Sequence, residues 1–189
     1  MTNEEIIYTY LNDRLKNPYG TAALMGNLFA ESSLNPKLAN NIKKHNMTNE
    51  QYIAVVDEGK NNNFVTDGIA FGLAQWCYHT RKKGLLDKAR STGKSIGDIY
   101  LQLEYLWEEL QKYKTVITAL YNTKDIRTAS DIVLTKYEKP ANQSEAVKVK
   151  RASFGQKYYD KYASNNIVGL NIKYSIADEF LSEIERALK

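Results

Sequence analysis

Between Pro18 and Pro36 the chain carries no charged side chain until Glu31, and Thr21-Ala22-Ala23-Leu24-Met25-Gly26 place small or apolar groups on every side of a helix. A helix that is apolar all round has to be surrounded by other elements. The segment therefore reads as a helix that is core on nearly every side. Pro36 lacks an N–H and drives Asn35 out of the α region, so the helix ends near Ser32 and Ser33. Glu31 then falls where the core meets a cleft. Desolvation there would raise its pKa and allow it to act as a general acid near neutral pH. Glu31 reads equally well, on this segment alone, as a solvated residue at a helix end.

A second stretch, Asp67-Gly68-Ile69-Ala70-Phe71-Gly72-Leu73-Ala74-Gln75-Trp76, ends in an amide and an indole and leads into Tyr78, His79 and Arg81. Gln75 offers two donors and an acceptor, and Trp76 offers a flat apolar face with one N–H. That combination suits a sugar, whose hydroxyls need hydrogen bonds and whose C–H face needs a platform. The competing reading is a short buried strand with Trp76 in the core.

In this order, "GNLFAESSLNP" and "FGLAQW" resemble the lysozyme-like superfamily of peptidoglycan hydrolases, and more closely the phage tail lysozyme family. The resemblance continues through "TRKKGLLDKARSTGKSIGDIYLQLEYLWEEL" and "YEKPANQSEAVKVKRASFGQKYYDKYA", covering roughly residues 2 to 164. It implies a mostly α, lysozyme-like domain with a small β-hairpin or loop wall at the cleft. It also implies that Glu31 is the general acid, that Gln75 and Trp76 line the glycan cleft, and that Tyr137 closes the site from a later helix. Phe71 and Tyr78 complete the expected substrate-binding set. Goose-type lysozymes carry second carboxylates shortly after the catalytic Glu, whereas this chain has Asn40 and Asn41 in part of that loop.

The expected reaction is cleavage of the β-1,4 bond between N-acetylmuramic acid and N-acetylglucosamine. Asp67 is the first choice for a second carboxylate, because it sits in the loop just before Gln75; Asp57 and Glu58 are the alternatives. A carboxyl separation of about 5 Å would indicate retention and about 6.5–9.5 Å inversion. Glu31 acting alone, with the sugar's own 6-hydroxyl attacking, would instead make the chain a lytic transglycosylase. A wall-binding or tail-structural module without turnover is the reading from another class, since a fold does not fix a function.

Composition narrows the partners. At 189 residues, with 43% hydrophobic and 25% charged residues, the chain is long enough for one full core. A net charge of +4 and a pI near 8.9 fit an anionic polymer such as teichoic-acid-bearing wall. Basic and acidic residues are mixed along the chain, with no run dense enough to track a nucleic-acid backbone. Fourteen tyrosines against five phenylalanines add mild support for a carbohydrate cleft. Cys77 is alone, and with only His45 and His79 no metal site or other cofactor is expected. A Cys77/His79 hydrolase is disfavoured, because residues two apart on a strand point to opposite faces.

Met1-Thr2-Asn3-Glu4-Glu5 does not read as a signal peptide, and no apolar stretch reaches membrane-spanning length. An extracytoplasmic substrate then requires delivery, either within a larger secreted or tail-borne protein or through a holin-type partner.

Helix signals recur along the chain. Capping boxes at Thr2/Glu5 and Thr48/Gln51 predict helices over about 3–16 and 49–58, and residues 60–70 read as a loop or hairpin. Further helices are expected near 78–91, 95–112, 116–121 and 125–138. Asn142 with Glu145 would open another to about Ala163, and Trp107 falls on an apolar core stripe. The catalytic domain is expected over 1–164. Residues 165–189 would form a linker and an amphipathic helix from Ser175 to Leu188.

Overall fold

The central helix forms as its composition requires. In the computed structural model, which describes residues 1–61 and 63–164, this helix is α2 (Pro18–Ser32), and every residue from Gly20 to Leu28 is buried. Pro18 occupies its first turn, where a missing N–H costs nothing. Asn17 caps it by accepting from the Tyr19 N–H (3.1 Å), and its amide donates to the Leu120, Tyr121 and Thr123 carbonyls. One side chain thus joins the start of α2 to the end of another helix. Ser33 and Leu34 take left-handed backbone (φ 54° and 59°) and stop the helix.

Seven helices accompany it among the described residues: α1 (Asn3–Leu15), α3 (Asn49–Asp57), α4 (His79–Thr92), α5 (Ile99–Lys112), α6 (Lys114–Asn122), α7 (Ile126–Ile132) and α8 (Glu145–Tyr159). The helices α1, α6, α7 and α8 pack on α2. A 3₁₀ turn spans Ile42–His45, and α7 and α8 run on into π-helical turns over Val133–Glu138 and Asp160–Ser164. Both anticipated capping boxes are present, at Thr2 and at Thr48. Asn142 does not cap α8; its side chain accepts from Ser144 N–H (3.0 Å), and Ser144 is the residue that precedes the helix. Trp107 is half-buried and meets Tyr121 edge-on.

The helices α2 and α8 pack backbone to backbone. A Cβ at Gly26 would lie 2.5 Å from the Gly155 nitrogen and 2.6 Å from the Arg151 carbonyl oxygen. Glycine on both helices lets the backbones touch. That contact places Arg151, one turn before Gly155, beside the C-terminal end of α2.

The expected β-hairpin wall is not formed among the described residues. Residues 63–78 instead make an irregular loop with two isolated bridges, Ala39 to Phe71 and Phe71 to Trp76. The reason is local: Gly72 (φ 76°) and Gln75 (φ 45°) are left-handed, so the backbone cannot continue extended and turns back on itself. The buried Gln102 side chain takes the place of a strand partner. It accepts from the Leu73 N–H (2.9 Å) and donates to the Pro36 and Ile96 carbonyls (2.7 Å each). The candidate C-terminal helix from Ser175 to Leu188 lies outside the described residues.

Candidate active site

Glu31 opens onto a cleft of about 380 Å³ lined also by Gln75, Tyr78, Arg81, Tyr113, Tyr137 and Glu138. The cleft is assembled from elements distant in the chain: the end of α2, the loop into α4, the α5–α6 junction and the π turn after α7. π turns often occur at functional positions.

Glu31 is fixed from α8. Arg151 Nη2 donates to its Oε1 (2.5 Å), while Arg151 Nη1 reaches the carbonyl (3.4 Å) and Oδ1 (3.3 Å) of Asn27. Asn27, fully buried, donates in turn to the Ser130 hydroxyl (2.9 Å) on α7. Three helices therefore set the position of one carboxyl.

Gln75 lies half-buried at the cleft wall. Its Nε2 is spent on the Leu38 and Gly72 carbonyls (3.1 and 3.0 Å), leaving Oε1 as the group it offers a ligand. Tyr78 is 76% exposed at the mouth. Its ring is an exposed aromatic face on the cleft lining.

Trp76, expected to line the glycan cleft, is fully buried, which corrects that assignment. Its ring packs on Tyr105, and Nε1 donates to Glu109 Oε2 (2.7 Å). An indole N–H needs a partner when buried, and Glu109 provides it. Phe71 is likewise fully buried, against Tyr52 and Phe64, and faces no ligand.

Tyr137 forms a wall of the cleft at 2% exposure, and its hydroxyl donates to Glu109 (2.8 Å). Arg81 completes this cluster with two bonds to Glu109 (2.9 Å each) and lies 4.7 Å from the centre of the Tyr137 ring. Burial pushes the Glu109 carboxyl up, but the bonds from Arg81, Trp76 and Tyr137 outweigh it and hold the group below the usual carboxylate range. Glu109 thus organises the floor of the site without lining it.

The expected second carboxylates are placed elsewhere. Asp67 neutralises Lys82, whose side chain is fully buried, and accepts from the Tyr52 hydroxyl (2.6 Å) and the Ile69 N–H (2.9 Å). A buried ammonium needs a counter-charge, and Asp67 is committed to that task outside the cleft lining. Asp57 accepts from the Ile96 N–H (2.9 Å), and Glu58 pairs with Lys60 (2.6 Å). Neither borders the Glu31 cleft.

Glu138 does border it, and the sequence reading passed over it although it follows Tyr137 directly. Its Oε1 is shielded from solvent and has no hydrogen-bond partner among the described residues. Burial pushes this carboxyl up to about 8, and the charge of Glu31 adds to the rise against the pull of Arg81 and Arg151. Arg151, Arg81 and Glu109 were also missed, since each acts through packing between distant segments.

A helical domain with a carboxyl at the end of its central helix, facing an amide and an exposed tyrosine across a cleft, has the features of the lysozyme-like class of glycoside hydrolases. Residues 2–162 match the phage tail lysozyme family, and the chain belongs to that family. Its class is that of the lysozyme-like enzymes that degrade peptidoglycan. A comparison with curated proteins gives no significant match. No helix among the described residues is long and apolar enough to cross a membrane.

Proposed function

We propose that the chain is a muramidase, cleaving the β-1,4 bond between N-acetylmuramic acid and N-acetylglucosamine with Glu31 as general acid, in a phage-tail or cell-wall setting. The observation that carries this reading is the placement of Glu31: on the cleft, held by Arg151, and across from Gln75 and Tyr78. A glycan strand would lay a sugar face on Tyr78 and direct a hydroxyl or acetamido N–H to Gln75 Oε1. Glu31 gives its proton to the bridging oxygen, the C1–O bond breaks, and positive charge develops on the ring. Arg151 stabilises the carboxylate left behind. Water then adds to C1 and returns a proton to the site.

A second reading is favoured by one fact: Asp57, Glu58 and Asp67 do not line the cleft. If no carboxylate activates water, the 6-hydroxyl of the muramic acid can attack C1 and yield a 1,6-anhydro end, as in lytic transglycosylation. Mass spectrometry of soluble products from purified peptidoglycan separates the two. Muropeptides with free reducing ends are the expected result. Products lighter by one water would replace hydrolysis with transglycosylation, and no release from walls of several bacteria would leave a binding module.

A further inference from the structure

Glu138 is a second carboxyl at the cleft whose shielded oxygen has no hydrogen-bond partner among the described residues, while Glu31 is held by an arginine. This difference in partners has a chemical consequence. An isolated buried carboxylate oxygen is disfavoured unless it is bonded or neutralised, and a proton is the simplest neutraliser. Two carboxyls close together in a shielded site do not ionise independently. The charged groups acting on Glu138 come from every side: Glu31 on α2, Arg81 on α4, Glu109 on α5 and Arg151 on α8. Arg81 is already engaged by Glu109, and Arg151 by Glu31 and Asn27.

We propose that Glu138 and Glu31 form a carboxyl pair carrying a single proton, with Glu138 as the positioning residue that keeps that proton in the cleft at neutral pH. The inference rests on the glycosidase reading given above. At rest the proton sits on Glu138 and the charge on Glu31, against Arg151. With a glycan bound, the proton passes from Glu138 to Glu31, which gives it to the bridging oxygen as the C1–O bond breaks and leaves both carboxyls ionised, facing the positive ring. That is the moment at which a second negative charge is most useful. When water, or the 6-hydroxyl, bonds to C1, the proton it loses returns to the pair and restores the starting state. Burial and the charge of Glu31 both favour the protonated form of Glu138, in agreement with this arrangement.

The test is the pH profile of peptidoglycan digestion by the wild type and Glu138→Gln, with thermal melts to confirm folding. The wild type should lose activity on an alkaline limb near pH 8, as the pair gives up its last proton. In Glu138→Gln that limb should move to lower pH by about one unit or more, with roughly a tenfold loss of rate at pH 8. An unchanged limb would make Glu138 a spectator and overturn the proposal. A direct measurement does not depend on turnover: NMR titration of protein labelled at the glutamate carboxyl carbons. A carboxyl titrating near pH 8 in the wild type, which moves to lower pH in Glu31→Gln, is expected. Its absence, or its indifference to Glu31→Gln, would contradict the pair even if the glycosidase reading holds. Failure of the wild type to digest any wall, with the coupled titration present, would sink the glycosidase reading and leave the pair intact.

Discussion

At the residue scale, the distinction that matters is between groups that face the cleft and groups that hold it up. Trp76 and Tyr78 are two residues apart, yet one is fully buried and the other 76% exposed. Trp76→Phe should therefore cost stability, about 2 kcal/mol from the lost bond to Glu109 and the space left by the smaller ring, read as a lower urea midpoint. The KM of the folded fraction for glycan should stay close to wild type. A raised KM at unchanged stability would return Trp76 to the role of sugar platform. Sequence could not separate the two outcomes, because an indole beside an amide reads the same in a core as in a cleft. Glu109, which decides the matter, comes from a helix further along the chain. Glu138 was illegible for the same reason: its significance comes from the packing of α2, α4 and α8 around it.

At the element scale, local signals were the most readable. The capping boxes at Thr2 and Thr48 involve residues three apart, and the burial of α2 follows from its composition alone. Residues 60–70, which read as a loop or hairpin, pair into no hairpin among the described residues; just beyond them the chain turns through left-handed backbone at Gly72 and Gln75, and Gln102 satisfies the Leu73 N–H that a strand would have paired. The close crossing of α2 and α8 was invisible, since it needs Gly26 and Gly155 to meet. Helix propensity favours alanine over glycine by about 1 kcal/mol, so Gly26→Ala would be stabilising on an isolated helix. Here the new methyl would meet the backbone of Gly155 and Arg151, which cannot swing aside as a side chain can. We expect a net loss of about 1–3 kcal/mol in urea unfolding, accompanied by lower activity because the shifted helix carries Arg151. A more stable, fully active variant would show that the helices have room to part.

At the scale of the whole molecule, the buried Glu109 and the partly shielded Glu138 give opposite contributions to stability as pH changes. Glu109 is held below the usual carboxylate range, so its contribution is present above its unfolded value and is lost as pH falls through its folded value. Glu138 is raised from 4.5 to about 8, so the folded state binds the proton more tightly; its contribution is full below about 4.5 and is lost as pH rises toward 8. Glu138→Gln removes the second effect. Between pH 5 and pH 8.5 the wild type should therefore lose about 2–5 °C of Tm relative to Glu138→Gln, measured by thermal melts in matched buffers. Parallel curves for the two proteins would mean that Glu138 is as acidic folded as unfolded.

The proposed role of Glu31 in cutting the glycan of peptidoglycan is tested by comparing wild type with Glu31→Gln on purified walls. The amide keeps the shape of the side chain and an oxygen for Arg151, so both proteins should melt at similar temperatures and bind walls alike. Release of soluble muropeptides should fall by at least about a hundredfold in the variant, as expected for loss of a general acid. Release at the wild-type rate by a folded Glu31→Gln would contradict the assignment and move the chemistry to another residue of the cleft.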